Sequence, residues 1–350
     1  MSNSMRVAIV GGGLVGRILA VTLLESFADI RLDLYDKSTD FSGKSSCGYA
    51  AAGMVAPVSE ALDEGQMIYD LSCSAAEAWQ RIDRWLLGGV FTQTGTNIIA
   101  HPLDLSDLET KIVRVQRLSL HEHAYAQTSL IDQYNQGKLA HRMLHIENEG
   151  CVHVPQFFSQ STLYLMNHPR VSLHLAQDIS KARLQDLQRD YDYVCDTRGI
   201  GAKDSFNDLY GIRGEALVVY APEVNITGVT RLCHPRMPLY IVPRGSGFYY
   251  IGATIVQSED MSQMSVISQL TLLSALLTVD EGFAEARIIK NFTQVRPCFK
   301  EGLPRLMQQN NLITLNGFYR HGYLLAPIYA LKVIDKMRSD IKDIKIVEQA

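Results

Sequence analysis

Glycines at positions 11, 13 and 16 fit the pattern G-x-G-x-x-G within Gly11-Gly12-Gly13-Leu14-Val15-Gly16, and Asp36 stands 20 residues after the last of them. This set can bind a dinucleotide. Gly11 permits a tight turn. Gly13 has no Cβ, so backbone can approach a diphosphate. Gly16 lets a helix pack closely on a strand. The free N–H groups and positive dipole end of a helix starting here would face the anion. Asp36 can accept hydrogen bonds from ribose hydroxyls. The surrounding run, VAIVGGGLVGRILA, is too interrupted by glycine and Arg17 for a secretion signal and too short to span a membrane. The glycines do not separate NAD from FAD. Residues 41–57, FSGKSSCGYAAAGMVAP, follow Asp36 directly and are small enough to run close along an extended ligand.

Other candidate chemistry is weaker. His121 and His123 with Glu122, and His141 with His145, suggest metal. Only the second pair has helical i, i+4 spacing and no H-E-x-x-H accompanies it, so solvated histidines and no metal are expected. The six cysteines (47, 73, 151, 195, 233 and 298) form no C-x-x-C, and read as reduced thiols in a cytoplasmic protein. A formal charge of −4 over 350 residues argues against a nucleic-acid partner. No segment is long enough for a membrane span.

The elements that must position the glycine corner follow in order. Residues 6–10 read as a buried parallel strand, 14–27 as a helix and 31–35 as a second strand ending at Asp36. Residues 65–87 and 107–118 read as helices. The segment 150–169 reads as strand, turn and helix, ended by His168-Pro169. Strands are expected at 171–176, within 191–202 where one enters a glycine turn, and at 211–220, 229–233, 238–243 and 247–254. Gly245-Ser246-Gly247 makes a hairpin turn. A helix is expected at 262–278, then strand, loop and helix, with a frayed polar terminus at 338–350. The α/β segments thus bracket an antiparallel insert.

Eight ordered stretches then carry a resemblance: the glycine corner, AAAGM (50–54), DTRGIGA (196–202), IRGE (212–215), LYIVPR (239–244), YIGAT (250–254), VRP (295–297) and YRHGYLLAP (319–327). Together they resemble the FAD-dependent D-amino-acid oxidase superfamily, and most the glycine oxidases of thiamine biosynthesis. The resemblance covers nearly the whole chain. It implies a mixed α/β fold of the p-hydroxybenzoate-hydroxylase type, with a Rossmann-like FAD-binding domain (1–80, 145–210 and 290–350) and a discontinuous antiparallel-sheet substrate domain (81–144 and 211–289). By position, Gly11, Gly13, Leu14 and Val15 would lie along the FAD diphosphate, and Asp36 with Lys37 beside the adenosine ribose. Ser45, Ser46, Ala51, Ala52 and Gly53 would line the path to the flavin ring. Ile179 would sit near the adenine, and Arg198 and Gly199 near the diphosphate. Tyr319, Arg320, His321, Gly322, Tyr323, Leu324 and Leu325 would pass the ring edge. Met54, Tyr240, Arg296 and Arg320 would face the substrate. The family often has Pro-Asp shortly before the Leu-Pro after VRP, where this chain has Lys300-Glu301.

The implied reaction is oxidation of a C–N bond beside a carboxylate. A guanidinium binds a carboxylate bidentately, and Pro297 biases Arg296 toward extended backbone, which suits it to that grip over a surface ion pair. Tyr240 could donate a second hydrogen bond, with core packing as the rival role. Met54 would be an apolar wall, and Arg244 structural. A helix starting near Gly322 would aim its dipole at the flavin. The expected partners are a small amino acid and O2, with hydrogen peroxide released and a hand-off of product to thiazole synthesis. Two alternatives stay open: a dehydrogenase passing electrons to a quinone or other acceptor, and a non-catalytic flavin-binding accessory protein. Related enzymes are often tetramers, which implies a homo-oligomer.

Overall fold

The computed structural model describes residues 4–120, 128–131, 142–234 and 238–348. Two large sheets carry the architecture. The first has six strands in the order Arg305–Gln309, Leu312–Asn316, Tyr193–Asp196, Met5–Val10, Ile30–Tyr35 and Val171–His174. All neighbours run parallel except the Arg305–Gln309 edge. Val7, Ala8, Ile9 and Val10 are buried on both faces, as a central parallel strand requires. Helix Leu14–Ser26 leaves the first strand at the glycine corner and packs against helix Gly322–Glu348.

The second sheet has eight strands in the order Arg287–Cys298, Tyr210–Tyr220, Phe248–Gly252, Leu239–Pro243, Val229–Leu232, Thr96–Ala100, Arg142–Ile146 and Thr128–Ile131. Its pairs are antiparallel except for the parallel contact of Val229–Leu232 with Thr96–Ala100. A small third sheet joins Met54–Val55, Gly150–Val152 and Phe91–Thr92. The parallel sheet draws on the start, middle and end of the chain, and the antiparallel sheet on what lies between. Strand Arg287–Cys298 crosses the expected boundary at 290 and belongs wholly to the second sheet.

Several elements differ from the sequence reading. The helix expected at 65–87 is two, Gln66–Ser72 and Ala75–Trp85, and a further helix, Pro57–Glu64, precedes them. Gly65 separates Pro57–Glu64 from Gln66–Ser72 with φ of +90°, a left-handed conformation that glycine adopts at low cost. The helix expected from 262 begins at Val266, where the Ser265 side chain caps it by accepting the Ser268 N–H. Helix Lys181–Asp190 was not expected. The terminus expected to fray continues the last helix to Glu348. All six cysteines are free thiols. Of the histidines weighed for metal, 121, 123 and 141 lie outside the described residues, and His145 Nδ1 hydrogen-bonds Asn97 Oδ1 at 2.6 Å.

Candidate functional site: a nucleotide cleft ending at two arginines

One continuous cleft starts at the glycine corner and ends against the second sheet. At the corner, Gly11 has φ of +107°, and a Cβ there would lie 2.6 Å from the Thr197 carbonyl oxygen. A Cβ on Gly16 would stand 1.9 Å from the Gly11 carbonyl oxygen, so helix and turn can meet only through glycine. Gly13 is the helix N-cap and has no side chain to satisfy the first-turn amides. Among the described residues, only Ser46 Cβ comes within 4 Å of a Cβ on Gly13, at 3.6 Å, so the side facing the cleft is open to a ligand. These are the features of a diphosphate cradle. Asp36 Oδ2 accepts the Gly12 N–H at 2.6 Å and Oδ1 accepts the Ser38 N–H at 2.8 Å. The acid therefore also shapes the glycine loop.

Leu14, Val15, Lys37, Ser45, Ser46, Ala51, Ala52, Gly53 and Met54 line the same cleft. The loop 43–56 is held by side chains that bond its carbonyls. Tyr323 Oη donates to Gly48 at 2.9 Å, Tyr250 Oη to Ala50 at 2.6 Å, and Arg244 Nη2 to Ala52 at 2.7 Å. Arg244 is thus structural, as its sequence context suggests. Ile179, Arg198 and Gly199 also line the cleft. The Arg198 side chain, however, is committed to the protein. It bonds both Asp196 oxygens at 2.9 Å and the Ile179 carbonyl at 2.8 Å. It therefore fixes the Ile179 backbone beside the nucleotide path.

At the other end lie Tyr240, Arg296, Tyr319, Arg320, His321, Gly322, Tyr323 and Leu324. Leu325 is not on the cleft and its side chain is fully buried in the core. Arg296 sits above a glycine of the neighbouring strand: a Cβ on Gly214 would stand 2.2 Å from its guanidinium carbon. Its Nη1 donates to the Thr254 carbonyl at 3.1 Å. Gly252 gives the Tyr240 ring the same clearance, a Cβ there falling 2.8 Å from ring carbon Cε2. Burial raises the Tyr240 phenol pKa, opposed by Arg296 and Arg320, so the hydroxyl stays a donor at neutral pH.

Arg320 is paired rather than free. Its Nη2 meets Glu60 Oε2 at 3.0 Å, and its Nε lies 3.7 Å from Glu64. Glu60 Oε1 takes Arg231 Nη2 at 3.0 Å, and His321 Nε2 hydrogen-bonds Glu64 at 2.8 Å. Burial alone would raise the Glu60 pKa, but Arg231, Arg320 and His321 overcome it and hold the carboxyl at about 2. Glu60, Glu64 and His321 bring ligand-type atoms within 4.8 Å of one another, yet the Glu60 carboxylate is already neutralised by two guanidinium groups, so the cluster is an ion-pair hub. Helix Pro57–Glu64 carries both acids. Pro57 opens it, and the buried Glu149 carboxylate accepts the Ser59 N–H at 2.7 Å and its hydroxyl at 2.6 Å.

Sequence reasoning missed Glu60, Glu64, Arg231, Gly214 and Gly252 as site residues. The two acids offered a signal, i, i+4 spacing just after a proline. Gly214 and Gly252 stand inside the stretches IRGE and YIGAT, but those stretches do not say which side chain each glycine seats, and nothing local marks Arg231.

The FAD dependent oxidoreductase family matches residues 6–335, so this chain belongs to that family. Its cofactor is FAD, and the glycine corner, the open N-terminus of helix Leu14–Ser26 and the long cleft fit it. A Rhizobium etli protein provisionally named thiamine biosynthesis oxidoreductase ThiO is 28% identical over 347 residues, 96% of this chain and 97% of the relative. Among solved structures, glycine oxidase from Geobacillus kaustophilus superposes with a TM-score of 0.74 at 20% identity, covering 95% of this chain and 94% of that one. L-proline dehydrogenase from P. horikoshii superposes with a TM-score of 0.72 at 11% identity over 97% and 95% of the two chains. At these identities the structural likenesses establish the fold alone.

Proposed function

We propose that this protein oxidises glycine or a small amino acid at the C–N bond beside its carboxylate. With water and O2 the products are the 2-oxo acid, ammonia and hydrogen peroxide. The reading places the enzyme in the cytoplasm, supplying thiamine thiazole synthesis; the name of the Rhizobium relative favours that role. We also assign residues 1–80, 145–210 and 290–350 to an FAD unit and 81–144 and 211–289 to a substrate unit, except that strand Arg287–Cys298 goes whole with the antiparallel sheet of the substrate unit.

The observation that carries the reading is the seat of Arg296, a guanidinium over a glycine, in the same cleft as the diphosphate cradle. Gly11, Gly13, Leu14 and Val15 would hold the FAD diphosphate, and Asp36 the ribose. Bound FAD supplies the two-electron acceptor for the substrate Cα–H. Arg296 binds the substrate carboxylate, and Tyr240 donates a second hydrogen bond to it. Met54 closes an apolar side. Glu60 fixes Arg320, so its charge is positioned without binding the substrate carboxylate itself. The free amides at Gly322 stabilise negative charge near the helix start. No side chain is needed as a strong base. The protein contributes position and electrostatics.

Anaerobic titration of the yellow holoenzyme with glycine and sarcosine tests this. Bleaching of the flavin band, with one peroxide per turnover once air returns, is the expected result. Bleaching without peroxide would favour the dehydrogenase. A yellow protein that no amine bleaches would be a flavin-binding accessory protein.

A further inference from the structure

Helix Val266–Val279, VISQLTLLSALLTV, holds no charged residue. Its inner side is accounted for. Leu272, Ala275, Leu276 and Val279 are buried in one core with Leu217, Val219, Ile241 and Ile251 of the antiparallel sheet. The outer side is equally apolar. Val266, Leu270, Leu273 and Leu277 follow at helical spacing and make one stripe, with Ile267 beside it. Val266 is 84% exposed, Ile267 68%, Leu270 58% and Leu277 45%. A helix apolar on all sides is normally a buried helix, and this one is covered on one side only.

The stripe adjoins a groove. Ile288 and Ile289 line a space of about 440 Å³ with Met261 and Met264, and the segment 261–264 runs directly into the helix. Both isoleucines lie near the start of strand Arg287–Cys298, an edge of the sheet with one neighbour among the described residues. Val218 pairs with Lys290 and Val219 with Ile288, so Ile289 is the extra residue of a bulge, which blunts the edge against adding another strand. The face therefore offers side chains rather than backbone. With Met261 and the two isoleucines, the stripe leaves on the order of 700 Å² of surface, more than the largest patch of a typical monomer and close to the roughly 800 Å² each partner gives to a stable interface.

The threonine hydroxyls of the helix are already satisfied. Thr271 Oγ1 donates to the Ile267 carbonyl at 2.8 Å and Thr278 Oγ1 to the Ala275 carbonyl at 2.7 Å, so covering them costs no hydrogen bond. Around the face, exposed Asp260, Glu281 and Glu285 offset Arg287 and Lys290, without the basic excess that draws a protein to anionic lipid. We infer that a second copy of this chain covers the face, the two helices packing on each other across a two-fold axis. Such an axis lets one apolar stripe serve both partners, with no complementary surface elsewhere on the chain. The opposite face of the same sheet turns Ala216, Tyr240 and Tyr250 toward the cleft. Pairing thus leaves the cleft residues untouched, and the inference does not depend on the proposed oxidation.

Sedimentation equilibrium of the FAD-loaded protein at micromolar concentration tests this. Wild type is expected as a dimer of the 350-residue chain, or as an even assembly containing that dimer. Leu270→Glu puts two like charges into the covered stripe and should weaken the contact by about 10²-fold or more, halving the mass. Val266→Asp should do the same, and an acid at the first helical position favours the helix itself, which guards against a folding defect. Both variants should keep bound FAD and an unchanged far-ultraviolet circular dichroism spectrum. Leu163→Glu, at an exposed position of helix Val154–Asn167, should leave the mass as it is. A monomeric wild type overturns the inference, as does an oligomer that a folded Leu270→Glu or Val266→Asp variant leaves whole. A wild type that stays monomeric and floats with vesicles of phosphatidylcholine and phosphatidylglycerol would give the face to a membrane and overturn it too.

Discussion

Arg296 owes its position to a side chain that is missing. Gly214 lies under its guanidinium, where a Cβ would come within 2.2 Å. Gly214→Ala should therefore leave the fold intact, since a flexible side chain can swing away, while displacing the proposed carboxylate grip. An apparent KM raised at least tenfold, with unchanged flavin absorbance and thermal stability, is the expected result. Arg296→Ala should raise KM more, by about 10²-fold, the usual scale for removing one partner of a buried charged pair. FAD should stay bound in both variants. Normal glycine kinetics in Arg296→Ala would remove the residue from the site. Arg296 itself was legible from the Arg-Pro pair within the family-like motif. Its glycine seat was not, because Gly214 and Arg296 meet only through pairing of strands Tyr210–Tyr220 and Arg287–Cys298.

Helix Pro57–Glu64 links the cleft to the ion-pair hub. Its Glu60 carboxyl is held at about 2, below its ordinary 4.5. A depressed carboxyl stabilises the fold above its unfolded pKa, and that contribution is lost as pH falls through the folded value. Glu60 should thus contribute about 3 kcal/mol above pH 4.5 and lose it progressively toward pH 2. Glu60→Gln should flatten that part of the stability profile, measured by denaturant unfolding at stepped pH, while lowering stability near neutrality by leaving Arg231 and Arg320 without their acid. An unchanged acid limb would show that the hub does not carry this charge. The helix escaped sequence reading because eight residues give too little apolar periodicity to stand out. Its proline start was the available sign.

At the scale of the whole molecule, one cleft joins the parallel sheet to the antiparallel one, so cofactor and fold should be coupled. FAD at about 100 times its Kd should stabilise the protein by roughly 2.7 kcal/mol and raise Tm by several degrees. Asp36→Ala should lose most of that gain. The substitution removes the proposed ribose acceptor and also frees the Gly12 N–H that Asp36 holds at 2.6 Å. FAD affinity by fluorescence quenching would measure the loss, and unchanged affinity would count against the ribose role.

The strand, glycine turn, helix, strand and terminal acid could be read from residues 6–36 alone, because backbone sterics and a helix terminus are local properties. The motif order extended that reading to the FAD fold and placed nearly every named residue on one cleft. What tertiary structure decided is which charges are free. Arg320 and Glu60 are 260 positions apart, and only tertiary packing brings them into a pair. Likewise only strand pairing sets Arg296 over Gly214. Electrostatic partnership depends on distance in space, and no local pattern along the chain encodes it.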